Sequence, residues 1–230
     1  MMKIPQASGL IVAAGSSRRM GFDKIVAPLA GRTVLAWSLA AFQDCPEIGP
    51  CALVCAVDRI SEFQAVAAPF KKFRAVVAGG PERSDSVLNG LAALEEFSPN
   101  LVAVHDAARP LATPALISAV VSAAAQWGAA AAATPVSDSI HRADAGGRLE
   151  ETVSRTRLWA METPQAAGFA DLRRAIVSEK SASRVLTDEV AALIAAEILP
   201  HPVSHPGLNF KITYPRDLVL AEAVLTSATR

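Results

Sequence analysis

The chain has 230 residues, 51% of them apolar, and its 22 basic residues balance 22 acidic ones to a formal net charge of zero. That is ample apolar material for a buried core, and the balanced charge excludes wholesale attraction to nucleic acid or to a membrane surface. No apolar run approaches the roughly 20 residues of a bilayer span, and Met1-Met-Lys-Ile-Pro-Gln6 lacks the apolar stretch of a signal peptide, so a cytoplasmic protein acting on a small target is expected.

The first element is an apolar strand over 9–14 that breaks into Ala13-Ala14-Gly15-Ser-Ser-Arg18-Arg19 and runs on to Lys24. Tiny residues let backbone N–H groups approach an anion closely, and the cations that follow supply neutralising charge, so this turn reads as a nucleotide phosphate site. A solvated basic loop after an ordinary strand is the plainer alternative. Apolar runs at 51–57, 74–78, 101–105 and 129–134 then alternate with segments of helical period, among them Val34 to Phe42 and Val87 to Leu94. The strands are apolar on both faces, which predicts an α/β fold with a mostly parallel sheet covered by helices on both sides. Ligands of such sheets sit at the carboxyl ends of the strands. Three polar turns fall there: residues 14–24, Gly79-Gly80-Pro-Glu-Arg-Ser-Asp-Ser86, and His105-Asp106-Ala-Ala-Arg109-Pro110.

From Val136 to Trp159 the rhythm changes to two polar, roughly alternating strands around Gly146-Gly147, a hairpin signature with too few apolar residues to stand alone. A β-arm at about 136–159 that packs on a second subunit is expected, with an edge hairpin lying on its own sheet as the alternative. Helical periodicity resumes at 169–180 and 187–196, a short strand follows at 198–204, and Pro215 to Leu225 closes the chain as a helix. With neither repeat nor linker, residues 1–230 read as a single domain. Cys45, Cys51 and Cys55 are odd in number and lack neighbouring histidines, so they read as reduced, structural thiols.

Six motifs in order carry a family resemblance: Ala-Ala-Gly15 with Arg18-Arg19-Met and Lys24; Gly-Gly-Pro-Glu-Arg-Ser-Asp-Ser-Val87; Val-His-Asp-Ala-Ala-Arg-Pro110; Thr163-Pro-Gln; Leu186-Thr-Asp-Glu; and Asn209-Phe-Lys-Ile-Thr213. Together they resemble the 2-C-methyl-D-erythritol 4-phosphate cytidylyltransferases over nearly the whole chain. The resemblance implies a Rossmann-like nucleotidyltransferase fold, a homodimer with an interlocking β-arm, and transfer of CMP from CTP to the sugar-alcohol phosphate with release of pyrophosphate. It implies Mg²⁺ held mainly through the CTP phosphates, with no dedicated metal ligands in the protein.

By the same resemblance, Arg19 and Lys24 stabilise the transition state on the triphosphate. Lys211 positions the acceptor phosphate, and Arg155 is presented to the partner's site. Ala13, Ala14, Gly15, Gly80, Ser86 and Asp106 match nucleotide contacts; Asp106, Arg109, Ser139, Thr163 and Thr187 match acceptor contacts, and Asp106 is also placed to draw Mg²⁺ toward the phosphates. The chemistry is consistent with these residue types. A phosphate monoester is largely dianionic at neutral pH and needs no catalytic base, so the work is positioning and charge stabilisation. His105 accordingly reads as a hydrogen-bonded structural residue. Pro81 removes a backbone N–H that would otherwise reach the base. Two competing readings remain at this level: a cytidylyltransferase for another polyol phosphate such as ribitol 5-phosphate, and a nucleotide-binding module without catalysis.

Overall fold

The computed structural model describes residues 6–15, 21–184 and 186–227. In chain order, β1 (Ala7–Val12) is followed by the two-residue strands β2 (Pro28–Leu29) and β3 (Arg32–Thr33), then α1 (Val34–Asp44), β4 (Ile48–Cys55), α2 (Ile60–Ala67), β5 (Phe73–Ala78), α3 (Arg83–Leu94) and β6 (Leu101–Asp106). The second half runs α4 (Pro114–Trp127), β7 (Ala129–Pro135), β8 (Ile140–Ala143), β9 (Leu149–Val153), β10 (Trp159–Gly168), α5 (Phe169–Ser181), α6 (Glu189–Ala195), β11 (His201–Val203) and α7 (Pro215–Ser227).

Seven strands form one sheet in the order β11-β7-β10-β6-β1-β4-β5. All neighbours pair in parallel except β10, which runs antiparallel between β6 and β7. The register aligns the carboxyl ends: Val12 lies opposite Val54 and Asp106, and Cys55 opposite Ala78. Burial on both faces follows from the unbroken apolar runs. Ile11 packs with α1, α2 and α4 on one side of the sheet, while Leu10 packs with α3, α5 and α6 on the other. A third cluster joins α7 to the β2–β3 turn through Leu29, Val34, Ile212 and Ala221, and Trp37 closes it by donating its indole N–H to the Leu29 carbonyl at 2.8 Å.

Local chemistry sets the element ends. Thr33 caps α1 by accepting from the Ala36 N–H at 3.1 Å, and Thr113 with Pro114 opens α4 in the same way. Gly128 stops α4 with φ +86°, where a side chain is disfavoured, and its N–H closes on the Ala124 carbonyl at 2.8 Å. The five alanines of β7 follow at once and are all buried.

The hairpin is present as a two-stranded antiparallel sheet, β8 with β9, separate from the main one. Its turn is built on Asp144, whose Oδ1 accepts from the N–H groups of Gly146 and Arg148, with Gly147 at φ +82°. The strands are shorter than the sequence pattern suggests, because Trp159 belongs to β10 and pairs with Pro135 in the main sheet. Strand β10 has no clean signal in the sequence. Glu162 and Pro164 interrupt its apolar pattern, and the ladder to β7 is broken between Met161 and Gln165 at the same place. The three cysteines are buried and unpaired, as expected.

Candidate active site

Asp106, the last residue of β6, is the hub of the carboxyl edge. Its Oδ1 accepts from Arg83 Nε at 3.1 Å and Nη2 at 3.0 Å, and its Oδ2 accepts from Lys211 Nζ at 2.7 Å. Burial works to raise its pKa, but Arg83 and Lys211 outweigh that and hold the carboxyl well below the usual carboxylate range. Arg83 in turn grips Glu189 end-on, Nη1 to Oε1 at 2.6 Å and Nη2 to Oε2 at 3.0 Å. Burial opposes its charge, yet the two carboxylates more than compensate and raise its pKa.

Lys211 reaches Asp106 across 105 positions because its segment is pinned from both sides. The Ile212 N–H donates to the Ala108 carbonyl at 2.8 Å, and the Ile212 side chain is buried in the α7 cluster. Asn209 donates to the Thr163 carbonyl and to Glu162 Oε2, both at 2.8 Å, and its own carbonyl accepts from Arg109 Nη1 at 2.7 Å. Lys24 meets the same segment, donating to the Ile212 carbonyl at 2.7 Å. Lys24, Lys211, Asp106 and Arg109 are thus brought together from three distant parts of the chain.

The residue behind Asp106 is fixed just as closely. Thr163 Oγ1 accepts from the Asp106 N–H at 3.1 Å and lies 3.0 Å from His105 Nδ1. His105 Nε2 lies 3.2 Å from the Arg109 carbonyl, which only accepts, so the proton sits on Nε2 and Nδ1 takes the threonine O–H. Burial beneath Phe42 pushes the imidazole down to about 4, and both nitrogens are occupied. His105 is therefore neutral and structural, as the sequence suggested.

A second group lies along the neighbouring turn. The Gly80 N–H donates to Ser86 Oγ at 3.1 Å. A Cβ on Gly79 would stand 2.6 Å from the Ala14 Cβ and 2.7 Å from Ser86 Oγ, so the first turn and the β5–α3 turn touch here and only glycine fits. Ala13 continues β1 by donating to the Val54 carbonyl at 2.7 Å, and Gly15 is exposed. Arg83 and Ser86 share the first turn of α3, which links this group to Asp106.

Other expected residues stand apart from the Asp106 cluster. Arg155 is exposed on the arm and donates to the Ser137 carbonyl, near the exposed Ser139. No hydrogen bond among the described residues joins either to Asp106. Thr187 is exposed, directly before Asp188 and Glu189. Arg109 sits deeper than a ligand contact would suggest. Two nitrogens go to backbone carbonyls of Asn209 and Met161, and Nε is buried with no partner. Arg18 and Arg19 lie outside the described residues. As for magnesium, both Asp106 oxygens are engaged by cations, and no group of three His, Cys, Asp or Glu side chains among the described residues is arranged to hold a metal.

Sequence reasoning did not single out Arg83 or Glu189. Arg83 carried a faint signal, since a cation in the first turn of a helix opposes the helix dipole and asks for another reason to be there. Glu189 closes the Leu186-Thr-Asp-Glu motif, but an acidic residue after a capping aspartate is what any helix start favours, so nothing in the sequence directs it to Arg83.

Three comparisons bear on this site. The family model described as 2-C-methyl-D-erythritol 4-phosphate cytidylyltransferase matches residues 8–227. A protein of that description from Ralstonia nicotianae is 40% identical over 231 residues, covering 95% of this chain and 91% of its own. Among solved structures, the cytidylyltransferase of the same description from Thermus thermophilus superposes with a TM-score of 0.77 at 32% identity, covering 96% of this chain and 99% of its own. The 4-diphosphocytidyl-2C-methyl-D-erythritol synthase from Anaerococcus prevotii reaches a TM-score of 0.83 at 26% identity, covering 96% of each chain.

Proposed function

The chain belongs to the 2-C-methyl-D-erythritol 4-phosphate cytidylyltransferase family, and from that premise we infer how its residues divide the work. The reaction transfers CMP from CTP to 2-C-methyl-D-erythritol 4-phosphate, giving 4-diphosphocytidyl-2-C-methyl-D-erythritol and pyrophosphate for isoprenoid precursors. The observation that carries the reading is the convergence of Lys24, Arg83, Arg109 and Lys211 at the carboxyl edge of β6.

An acceptor phosphate oxygen attacks the α-phosphorus of CTP and the bond to the β-phosphate oxygen breaks, so the obstacle is mutual repulsion of anions rather than proton transfer. Lys211 holds the acceptor phosphate, and Lys24 with Arg19 stabilises charge growing on the triphosphate. On binding, Lys24 exchanges the Ile212 carbonyl for a phosphate oxygen, a stronger partner for an ammonium. The first turn with Gly80 and Ser86 frames the nucleotide, and Thr163, Thr187 and Asp106 border the acceptor. Mg²⁺ would be held through the CTP phosphates rather than by a set of protein ligands, and would supply further neutralisation there. His105, neutral and saturated, supports the absence of a base. Arg155 and Ser139 belong in our reading to a homodimer, in which the arm carries them to the partner's acceptor site. No described helix is long and apolar enough to cross a membrane, and a cytoplasmic setting fits this small-molecule chemistry.

The test is pyrophosphate release from CTP and Mg²⁺, with and without 2-C-methyl-D-erythritol 4-phosphate, for the wild type and Lys24→Ala. Release that requires the acceptor and falls about a hundredfold in the variant is expected, the loss of one oriented donor. Release with ribitol 5-phosphate alone overturns the acceptor assignment.

A further inference from the structure

Arg83 is clamped between two carboxylates from different parts of the fold. It presents the Nη1–Nη2 edge to both oxygens of Glu189 and the Nε–Nη2 edge to a single oxygen of Asp106. Four of its five N–H groups are thereby committed, counting one bond per partner atom, so the guanidinium plane is fixed. Because Arg83 takes only Oδ1, the Asp106 carboxylate cannot rotate freely, and Oδ2 is the oxygen left for Lys211. Glu189 is 2% exposed, so its negative charge acts on Arg83 with little screening by water. The result is a row of alternating charge, Glu189, Arg83, Asp106, Lys211, running from the start of α6 to the lysine.

We propose that Glu189 is a positioning residue, which through Arg83 and Asp106 sets where the Lys211 ammonium stands to meet the acceptor phosphate. The proposal rests on the function given above and concerns its acceptor half only. Without Glu189 the guanidinium is free to swing toward the triphosphate or to take both Asp106 oxygens, and either movement displaces Lys211. The nucleotide turn meets this row at the start of α3, where Ser86 lies one turn from Arg83, but Gly79, Gly80 and Ser86 hold it through contacts of their own.

A double-mutant cycle of Glu189→Gln with Lys211→Ala tests it, read as KM for 2-C-methyl-D-erythritol 4-phosphate and for CTP, with thermal unfolding of each variant alongside. Glu189→Gln is expected to raise the acceptor KM about tenfold and to leave the CTP KM within about twofold. In the Lys211→Ala background the same change should add less than about twofold, since its route is already gone. Effects that multiply, or an equal rise in both KM values, overturn the proposal. Arg83→Lys, which keeps the charge but loses the fork, is expected to show the same acceptor-selective loss. If neither Glu189→Gln nor Arg83→Lys folds, the pair is a fold element and the proposal is overturned. A wild type that releases no pyrophosphate with this acceptor overturns the functional reading itself, and that is seen before any substitution is made.

Discussion

Thr163→Val removes one hydroxyl and keeps the side-chain shape, so it isolates what that oxygen does. Thr163 Oγ1 accepts from the Asp106 N–H at 3.1 Å and donates to His105 Nδ1 at 3.0 Å, all within the buried floor of the site. Valine leaves one buried donor and one buried acceptor without partners, at about 1–3 kcal/mol each, so a loss of about 2–6 kcal/mol in unfolding free energy is expected. Ordinary domains hold only about 5–15 kcal/mol, so the variant should be clearly weakened yet still foldable. Thr163→Ser keeps the hydroxyl and gives up one methyl, about 1 kcal/mol. Urea unfolding of the three proteins, with pyrophosphate release measured well below each midpoint, separates stability from activity. In Thr163→Val the loosened Asp106 backbone should also lower kcat/KM for the acceptor. A valine variant within about 1 kcal/mol of the wild type, or a serine variant as weak as valine, refutes the chain of bonds from Asp106 to His105.

Acid sensitivity should carry the same signature. His105 is held from its ordinary 6.5 down to about 4 by burial, so the unfolded chain binds a proton between these values that the folded protein refuses. This contribution to stability is complete above about pH 6.5 and falls as the pH drops toward 4, by about 3 kcal/mol in all. The His105 ring resonances should stay flat on titration down to about pH 5, and stability rising on acidification through this window would contradict the assignment. Burial also pushes the thiols up, Cys51 to about 12 and Cys45 and Cys55 to about 11, so none should react with a thiol reagent in the folded protein near neutral pH. Rapid native labelling would count against their burial. Finally, if Arg155 serves the partner's site, mixing and reassembling Arg155→Ala with Lys24→Ala should restore about a quarter of wild-type activity, because half the dimers then hold one intact site of two. Mixtures no better than the parents would place Arg155 in its own subunit's site or outside the chemistry.

The parallel core was legible because its strands are apolar on both faces, and the ligand edge because small and charged residues follow three of those strands. What stayed hidden was relational. Strand β10 is concealed by Glu162 and Pro164, which look like a loop until Asn209 and His205 are seen to bond Glu162. Lys211 was found only through its motif; nothing local announces that Ile212 anchors it beside Asp106. For Arg109 the motif implies an acceptor contact, and what it does not announce is that two of the nitrogens also fasten the 209 segment to the strand edge. Arg83 and Glu189 sit 106 positions apart, and no spacing rule pairs residues at that distance.

The alanine run behind Gly128 has a bearing on how the chain reaches this fold. Alanine is the strongest helix former and a weak strand former, so Ala129 to Ala133 would by preference extend α4. Their extended state comes from β10 and β11, both made later in synthesis. Until those strands arrive, Gly128 alone stands between the segment and a helix that runs to Pro135. An alanine at 128 would therefore remove this stop from the growing chain as well as force a side chain into the φ +86° conformation of the finished protein.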